Sequence, residues 1–227
     1  SETNDKHNLA VVPMDIELDK DNRVWVSSTI SPHYSLVGDQ WGSNPPKGGG
    51  NIYRFNEDGS FATLINSIIV ERQNGTIINQ GRRTEMTFTS DNKLIVLCIA
   101  PQLDEGFWRV VPRLYKGTIQ DWIDGTQTEL DKPIDKDESV EDYDFARGQG
   151  YYSVSLAAHP NNQGKAYVGG INLFSSNNSG DNWGQLSHRN GRYAQYVHAD
   201  HHSIIFNKNN PQQMLVGSDG GVSYSAV

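Results

Sequence analysis

The chain has 227 residues, a formal net charge of −8, 22 glycines, 9 prolines and a single cysteine. An acidic chain with no Lys/Arg run longer than Arg82-Arg83 argues against nucleic acid and anionic membrane surfaces as partners, and leaves glycans, cations and proteins open. No apolar run is long enough to span a bilayer, and one cysteine excludes an intrachain disulfide.

In chain order, the first pattern is Asp15-Ile-Glu-Leu-Asp-Lys-Asp-Asn-Arg-Val-Trp-Val26. It reads as a strand, an Asp-Asn turn and a second strand. Asp-Asn supplies the local hydrogen bonds and the tolerance of left-handed backbone that a tight turn needs. Asp19, Asp21 and Asn22 look like a short cation-binding run, although the glycine and distal glutamate of a calcium loop are missing. Residues 33–50, rich in Gly, Pro and Ser, read as a loop insertion that exposes Trp41. Glu85-Met-Thr-Phe-Thr-Ser-Asp-Asn-Lys-Leu-Ile-Val96 repeats the first pattern 70 residues on, so the early units carry long insertions. Cys98 follows in an apolar run and reads as a small buried hydrophobe on a strand. Residues 121–150 read as a second loop insertion. Its acidic stretch from Asp135 to Asp142 has no apolar period and is expected to be a solvated loop rather than a helix.

The two segments after it are more fully alike. Ser153 to Ser176 and Ser203 to Ser225 each read as strand, Asn/Pro turn, strand, Gly-rich turn, strand, and Gly169 matches Gly217, 48 residues on. A period of that size suits one propeller blade. The fold class predicted is therefore all-β: one β-propeller region over residues 1–227, made of four-stranded antiparallel blades, with units at 14–65, 84–122, 151–187 and 198–227. The last unit stops after its third strand, and propellers close at about 4–8 blades. The expectation is a partial propeller, completed by the rest of a longer chain or by a partner.

Ser176-Asn-Asn-Ser-Gly-Asp-Asn-Trp183 resembles the Asp-box of BNR-like repeats, Ser-x-Asp-x-Gly-x-x-Trp, with Asn178 at the acidic position. In such a hairpin the acidic side chain caps its own turn, the glycine (here Gly180) takes a conformation closed to other residues, and the tryptophan packs between strands. Asn can make the same local bonds. Together with Gly148-Gln-Gly-Tyr-Tyr152, Val168-Gly-Gly-Ile-Asn-Leu-Phe174, Tyr196-Val-His-Ala-Asp-His-His202 and Ser218-Asp-Gly-Gly221, this makes the last third of the chain similar to Bacteroidetes secreted propellers of the xyloglucanase/sortilin-like group, many of them type IX secretion cargo. The resemblance implies a secreted or cell-surface, extracytoplasmic protein. It also implies that the box is structural and speaks to fold rather than to function.

The densest polar cluster is His198-Ala-Asp-His-His202. On a strand, His198, Asp200 and His202 share one face and His201 takes the other. By the resemblance, this strand is an innermost one, at the mouth of the central channel. Three readings stand: a structural polar plug, a catalytic site with Asp200 as acid or base beside His198 and His202, and a His-Asp-His site for a divalent metal. Asp15 and Glu85 begin the corresponding strands of earlier units. They read first as rim charges, and second as members of the carboxylate pair a glycosidase needs. Tyr152, Tyr196 and Trp41 are candidate sugar-stacking residues, whereas Trp25 and Trp183 are assigned to the core. Asp219-Gly-Gly221 reads as a plain hairpin turn ahead of a means of presenting Asp219. The Phe/Tyr-Arg-Ile-Pro opening of sialidases is not found, nor a nucleophile elbow, phosphate loop or dinucleotide fingerprint. Two functions follow: a secreted or surface propeller that binds, and in its enzymatic form hydrolyses, glycans, or a non-catalytic protein-interaction module of a secreted complex.

Overall fold

The computed structural model describes residues 11–30, 50–59, 62–73, 76–104, 107–137, 140 and 144–226. Trp41 and nearly all of the 33–50 insertion lie outside the described residues. The first blade is an antiparallel sheet of β1 (Val11–Leu18), β2 (Val24–Ile30), β3 (Asn51–Phe55) and β4 (Ala62–Ser67), in that order. A hairpin of β5 (Ile69–Gln73) and β6 (Thr76–Gln80) follows. The second blade holds β7 (Thr84–Phe88), β8 (Leu94–Asp104), β9 (Phe107–Gly117) and, after the short helix α1 (Ile119–Asp124), β10 (Thr128–Leu130). The third holds β11 (Ser155–Ala158), β12 (Ala166–Gly169), β13 (Leu173–Ser176) and β14 (Gly184–Gln185). A two-residue parallel ladder of β15 (Ser187–His188) and β16 (Gln195–Tyr196) leads to the fourth, with β17 (His201–Phe206), β18 (Gln213–Ser218) and β19 (Gly221–Ala226). The fold is a propeller arrangement of four blades.

The tight turns form for the reasons expected. Asn22 and Asn92 take left-handed backbone, φ 58° and 63°, in the β1–β2 and β7–β8 turns. Asp19 closes the first of them. Its carboxylate accepts from the backbone N–H groups of Asp21 and Arg23, from Arg23 Nε and, at 3.0 Å, from the buried Trp25 indole. Those oxygens are spent on the hairpin, so a structural role replaces the cation-binding reading of this run.

Strand alternation sends successive side chains to opposite faces, and each seam between blades is a layer of them. Trp25 and Ile52 meet Met86, Leu94 and Val96 between blades one and two, with Cys98 buried and free in the same layer. Ile95, Leu97 and Leu114 meet Leu156, Val168 and Phe174 between blades two and three. Ala157, Tyr167 and Leu173 meet Ile204, Met214 and Val216 between blades three and four. The innermost strands β1, β7, β11 and β17 consequently stand side by side.

The 121–150 region departs from its reading as a loop insertion. Thr118 and Asp121 form a capping box that starts α1, and Gly125 ends it in left-handed backbone. Trp122 is buried, with its indole N–H donating to the Leu94 carbonyl at 3.1 Å. β10 then completes blade two, which runs to Leu130 rather than stopping at 122. The acidic stretch is non-helical where described, but its two described carboxylates are not solvated. Asp135 and Asp137 are buried, each accepting from Arg147 at 2.7 Å; Asn172 also donates to Asp135, and His188 pairs with Asp137 at 3.0 Å. The paired cation, half-buried Arg147, makes those carboxylates tolerable in the interior.

Candidate functional site

An arc of polar side chains crosses the four innermost strands; Asp15, expected to begin its strand, instead lies within β1, because the strand is already paired from Val11. The arc begins at Asp15, at the β-bulge of β1, whose carboxylate accepts from the backbone N–H groups of Met86 at 2.7 Å and Ile16 at 2.8 Å. Burial nevertheless raises its proton affinity above the usual aspartate value. Glu17 lies one alternation further along β1, and burial plus the neighbouring Asp15 charge push its carboxyl up to about 7. On β7, burial likewise pushes Glu85 up to about 7, the Asp15 charge adding to it and Arg83 partly offsetting it.

Arg83 carries the arc onward. Its guanidinium donates to Glu85 at 2.9 Å and to the carbonyls of Tyr151, Tyr152 and Val154 just ahead of β11. It therefore clamps blade two to blade three and orients Tyr152. The Tyr152 hydroxyl donates to Asp219 Oδ1 at 3.0 Å, and His202 Nε2 meets the same oxygen at 2.7 Å. The Tyr152 and His202 rings are edge to face, 4.9 Å apart. Hydrogen bonds from His202 and Tyr152 hold Asp219 below the usual aspartate range, and the same contact raises the Tyr152 phenol.

The histidine-aspartate cluster is arranged differently from its reading. β17 begins at His201, so His198 and Asp200 precede the strand, and a bulge between His201 and Ser203 shifts the alternation. Asp200 takes left-handed backbone, φ 65°, and its carbonyl accepts from Asp219 N–H. His202 pairs with Asp219 rather than with Asp200. His198 lies against Gly220, where a Cβ would come within 2.4 Å of it. The hub is thus Asp219, the residue read as a plain turn. His201 is fully buried, held by the Gly170 carbonyl. As for a metal, Asp135, Asp137 and His188 bring three ligand atoms within 4.8 Å among the described residues; His198, Asp200 and His202 do not form such a group. Arg147 already bridges the two aspartates of that group, which makes it a salt-bridge network.

Of the aromatic candidates, Tyr152 is exposed at the arc, with its exposed neighbour Tyr151 beside it. Tyr196 is exposed on β16, away from the arc. The Ser176–Trp183 hairpin behaves as its spacing requires. Ser176 Oγ accepts from the N–H groups of Gly180 and Asn178, and Asn178 Oδ1 accepts from Asn182 N–H at 2.9 Å. Gly180 has φ 94°, and a Cβ there would stand 2.7 Å from Leu130. Trp183 is half-buried at the edge of the core, its indole donating to the Asp131 carbonyl.

No protein-family profile matches the chain, and no curated protein shows significant similarity to it. Solved structures do. One is the GH74 enzyme of Niastella koreensis, at 18% identity and TM-score 0.50, over 92% of this chain and 28% of that one. Another is an α-L-arabinanase of Penicillium chrysogenum complexed with arabinobiose, at 9% identity and TM-score 0.56, over 96% and 57%. A third is a protein of unknown function from Dyadobacter fermentans, at 13% identity and TM-score 0.51, over 94% and 60%. At these identities the likeness establishes the propeller fold. The chain spans less than two thirds of the length of each.

Proposed function

We propose that this propeller binds glycans at the mouth of its channel and that Asp15 and Glu85 equip it for glycoside hydrolysis. The observation that carries the reading is the pair itself. The two carboxylates stand on adjacent innermost strands, and burial, with the Asp15 charge added to it, pushes the Glu85 carboxyl up to about 7. Glycoside cleavage needs one carboxyl group protonated to meet the leaving oxygen and a second ionised. Glu85 suits the first role; Asp15, whose ionised form is favoured by two backbone N–H donors, suits the second. Asp200, His198 and His202, with Asp219, then serve to orient sugar hydroxyls, and Tyr152 offers a ring face beside them. The likeness to an arabinanase complexed with arabinobiose makes arabino-oligosaccharides the first ligands to try, with xyloglucan fragments second. A secreted or cell-surface location, and descent of the Ser176–Trp183 hairpin from the Asp-box, belong to the same reading.

The test is calorimetric titration with both oligosaccharide series, alongside a reducing-end assay. Glu85→Gln is expected to lower hydrolysis by at least about 100-fold, the usual worth of a general acid, while leaving binding in place. Failure of every oligosaccharide to bind or be cleaved would sink the proposal.

A further inference from the structure

The charged side chains of the arc restrict which glycans suit it. A guanidinium has five N–H donors, and at Arg83 each of them has a partner. Nε and Nη2 meet Glu85 Oε1 at 2.9 and 2.8 Å, Nη1 donates to the carbonyls of Tyr151 and Tyr152, and Nη2 donates also to the Val154 carbonyl. Arg83 therefore has no donor left to receive the carboxylate of an acidic sugar. The acceptors of the arc stand differently. Asp219 Oδ1 is shared by Tyr152 and His202, whereas Oδ2 has no hydrogen bond among the described residues. The half-buried Asp200 carboxylate makes none either, and its Oδ1 is buried without a partner. The two aspartates belong to one place. Asp219 N–H donates to the Asp200 carbonyl at 3.3 Å, and the Asp219 hydrogen bond, with the charges of Asp219 and Asp200, raises the Tyr152 phenol. A half-buried carboxylate without donors is stabilised by a positive charge brought beside it. Tyr152, 46% exposed, adds an aromatic ring that attracts a cation over its face.

We propose that the channel mouth selects glycans carrying a protonated amine, seated beside the Asp200 and Asp219 carboxylates and the Tyr152 ring, and rejects glycans carrying carboxylates. This selection rests on the reading of the mouth as a glycan site and adds to it the charge of the sugar. A neutral sugar offers these acceptors hydroxyl groups alone. An ammonium offers charged donors, whose hydrogen bonds are about twice as strong. A uronic acid meets like charge, with the Arg83 guanidinium already engaged. The net charge of −8 works in the same direction, drawing cationic chains in and holding anionic ones off.

The probes are oligosaccharides of one β-1,4-linked glucose-type backbone, in four series: glucose, N-acetylglucosamine, glucosamine and glucuronic acid. Calorimetric titration of the 227-residue chain is run at pH 5.5, where sugar amines are protonated and ordinary aspartates ionised. The glucosamine series is expected to bind at least about 10-fold more tightly than the two neutral series. That gap should narrow as salt is added, and the glucuronic series should not bind. The double substitution Asp200→Asn, Asp219→Asn keeps the shapes and removes the charges, and is expected to bring the glucosamine series to the affinity of the neutral ones. Equal affinity of the amine and neutral series in the unaltered chain, binding of the glucuronic series, or an amine preference that survives the double substitution overturns the proposal. So does silence of all four series. If arabino-oligosaccharides bind in that last case, the glycan reading stands and the amine selection alone falls.

Discussion

Glu17 holds its proton up to about pH 7 because it is buried beside Asp15. The unfolded chain releases that proton near the ordinary glutamate value of 4.5. Between these values the native state binds more protons than the unfolded state, so stability falls as pH rises through the window. A tenfold difference in proton affinity is worth about 1.4 kcal/mol. Glu17→Gln removes the charge and keeps the shape. It is expected to add about 1–3 kcal/mol of stability above pH 7 and to change little below pH 4.5. Urea midpoints at pH 8 and pH 4 check this; an equal gain at both would place the effect outside proton linkage. The same residue shows why the site was only partly legible. That Asp15 and Glu85 lie on equivalent innermost strands is legible in the sequence, although Asp15 sits within β1 rather than at its start; proton affinity depends on burial and on charges brought close by the adjacent blade, which no local pattern states. Asp219 reads as a plain turn residue for a similar reason. A turn residue becomes a hub only once Tyr152 of another blade and a bulge-shifted His202 are placed against it.

Among the elements, the most legible were those closed by local chemistry. The two Asp-Asn turns and the Ser176–Trp183 hairpin form from bonds between residues a few positions apart. That hairpin yields a sharp expectation. Asn178 acts through its side-chain oxygen, which accepts from Asn182 N–H and from the Ser176 hydroxyl. Asn178→Asp keeps that acceptor and is expected to leave stability within about 0.5 kcal/mol. Asn178→Ala removes it and should cost about 1 kcal/mol, the usual worth of such a bond. Thermal unfolding of the two variants side by side decides the matter, and equal losses would show that the oxygen is not what closes the turn. Elements whose reason lies elsewhere in the chain were less legible. α1 and β10 sit in a stretch without strand alternation; only the Thr118–Asp121 capping pair and Trp122 announced them, and Trp122 is helical because its ring fills the space beside Leu94. Asp135 and Asp137 read as solvated because Arg147, the cation that lets them be buried, comes ten or more residues later.

Across the whole molecule, two populations of carboxylates pull stability in opposite directions. For Asp19 and Asp137, burial opposes ionisation, but it is outweighed by hydrogen bonds from Trp25 and Arg23 in one case and from Arg147 and His188 in the other, so both sit below the ordinary 3.8. Their contribution is fully present above that value and is lost as pH falls through their native pKa. Glu17 and Glu85 act the other way, withdrawing stability as pH rises from 4.5 to about 7. A net charge of −8 adds general repulsion on the alkaline side. The thermal midpoint is therefore expected to peak near pH 5, falling on both sides for different reasons. Scans of the unaltered chain from acid to alkaline pH test the shape, and the double substitution Glu17→Gln, Glu85→Gln tests the cause. It should flatten the alkaline arm and leave the acid arm, which belongs to the Asp19 hairpin and the Asp137 network, where it was. A peak that stays put with both arms unchanged would mean that Glu17 and Glu85 do not govern the pH response, and would weaken with it the proposal of Glu85 as the protonated partner of Asp15.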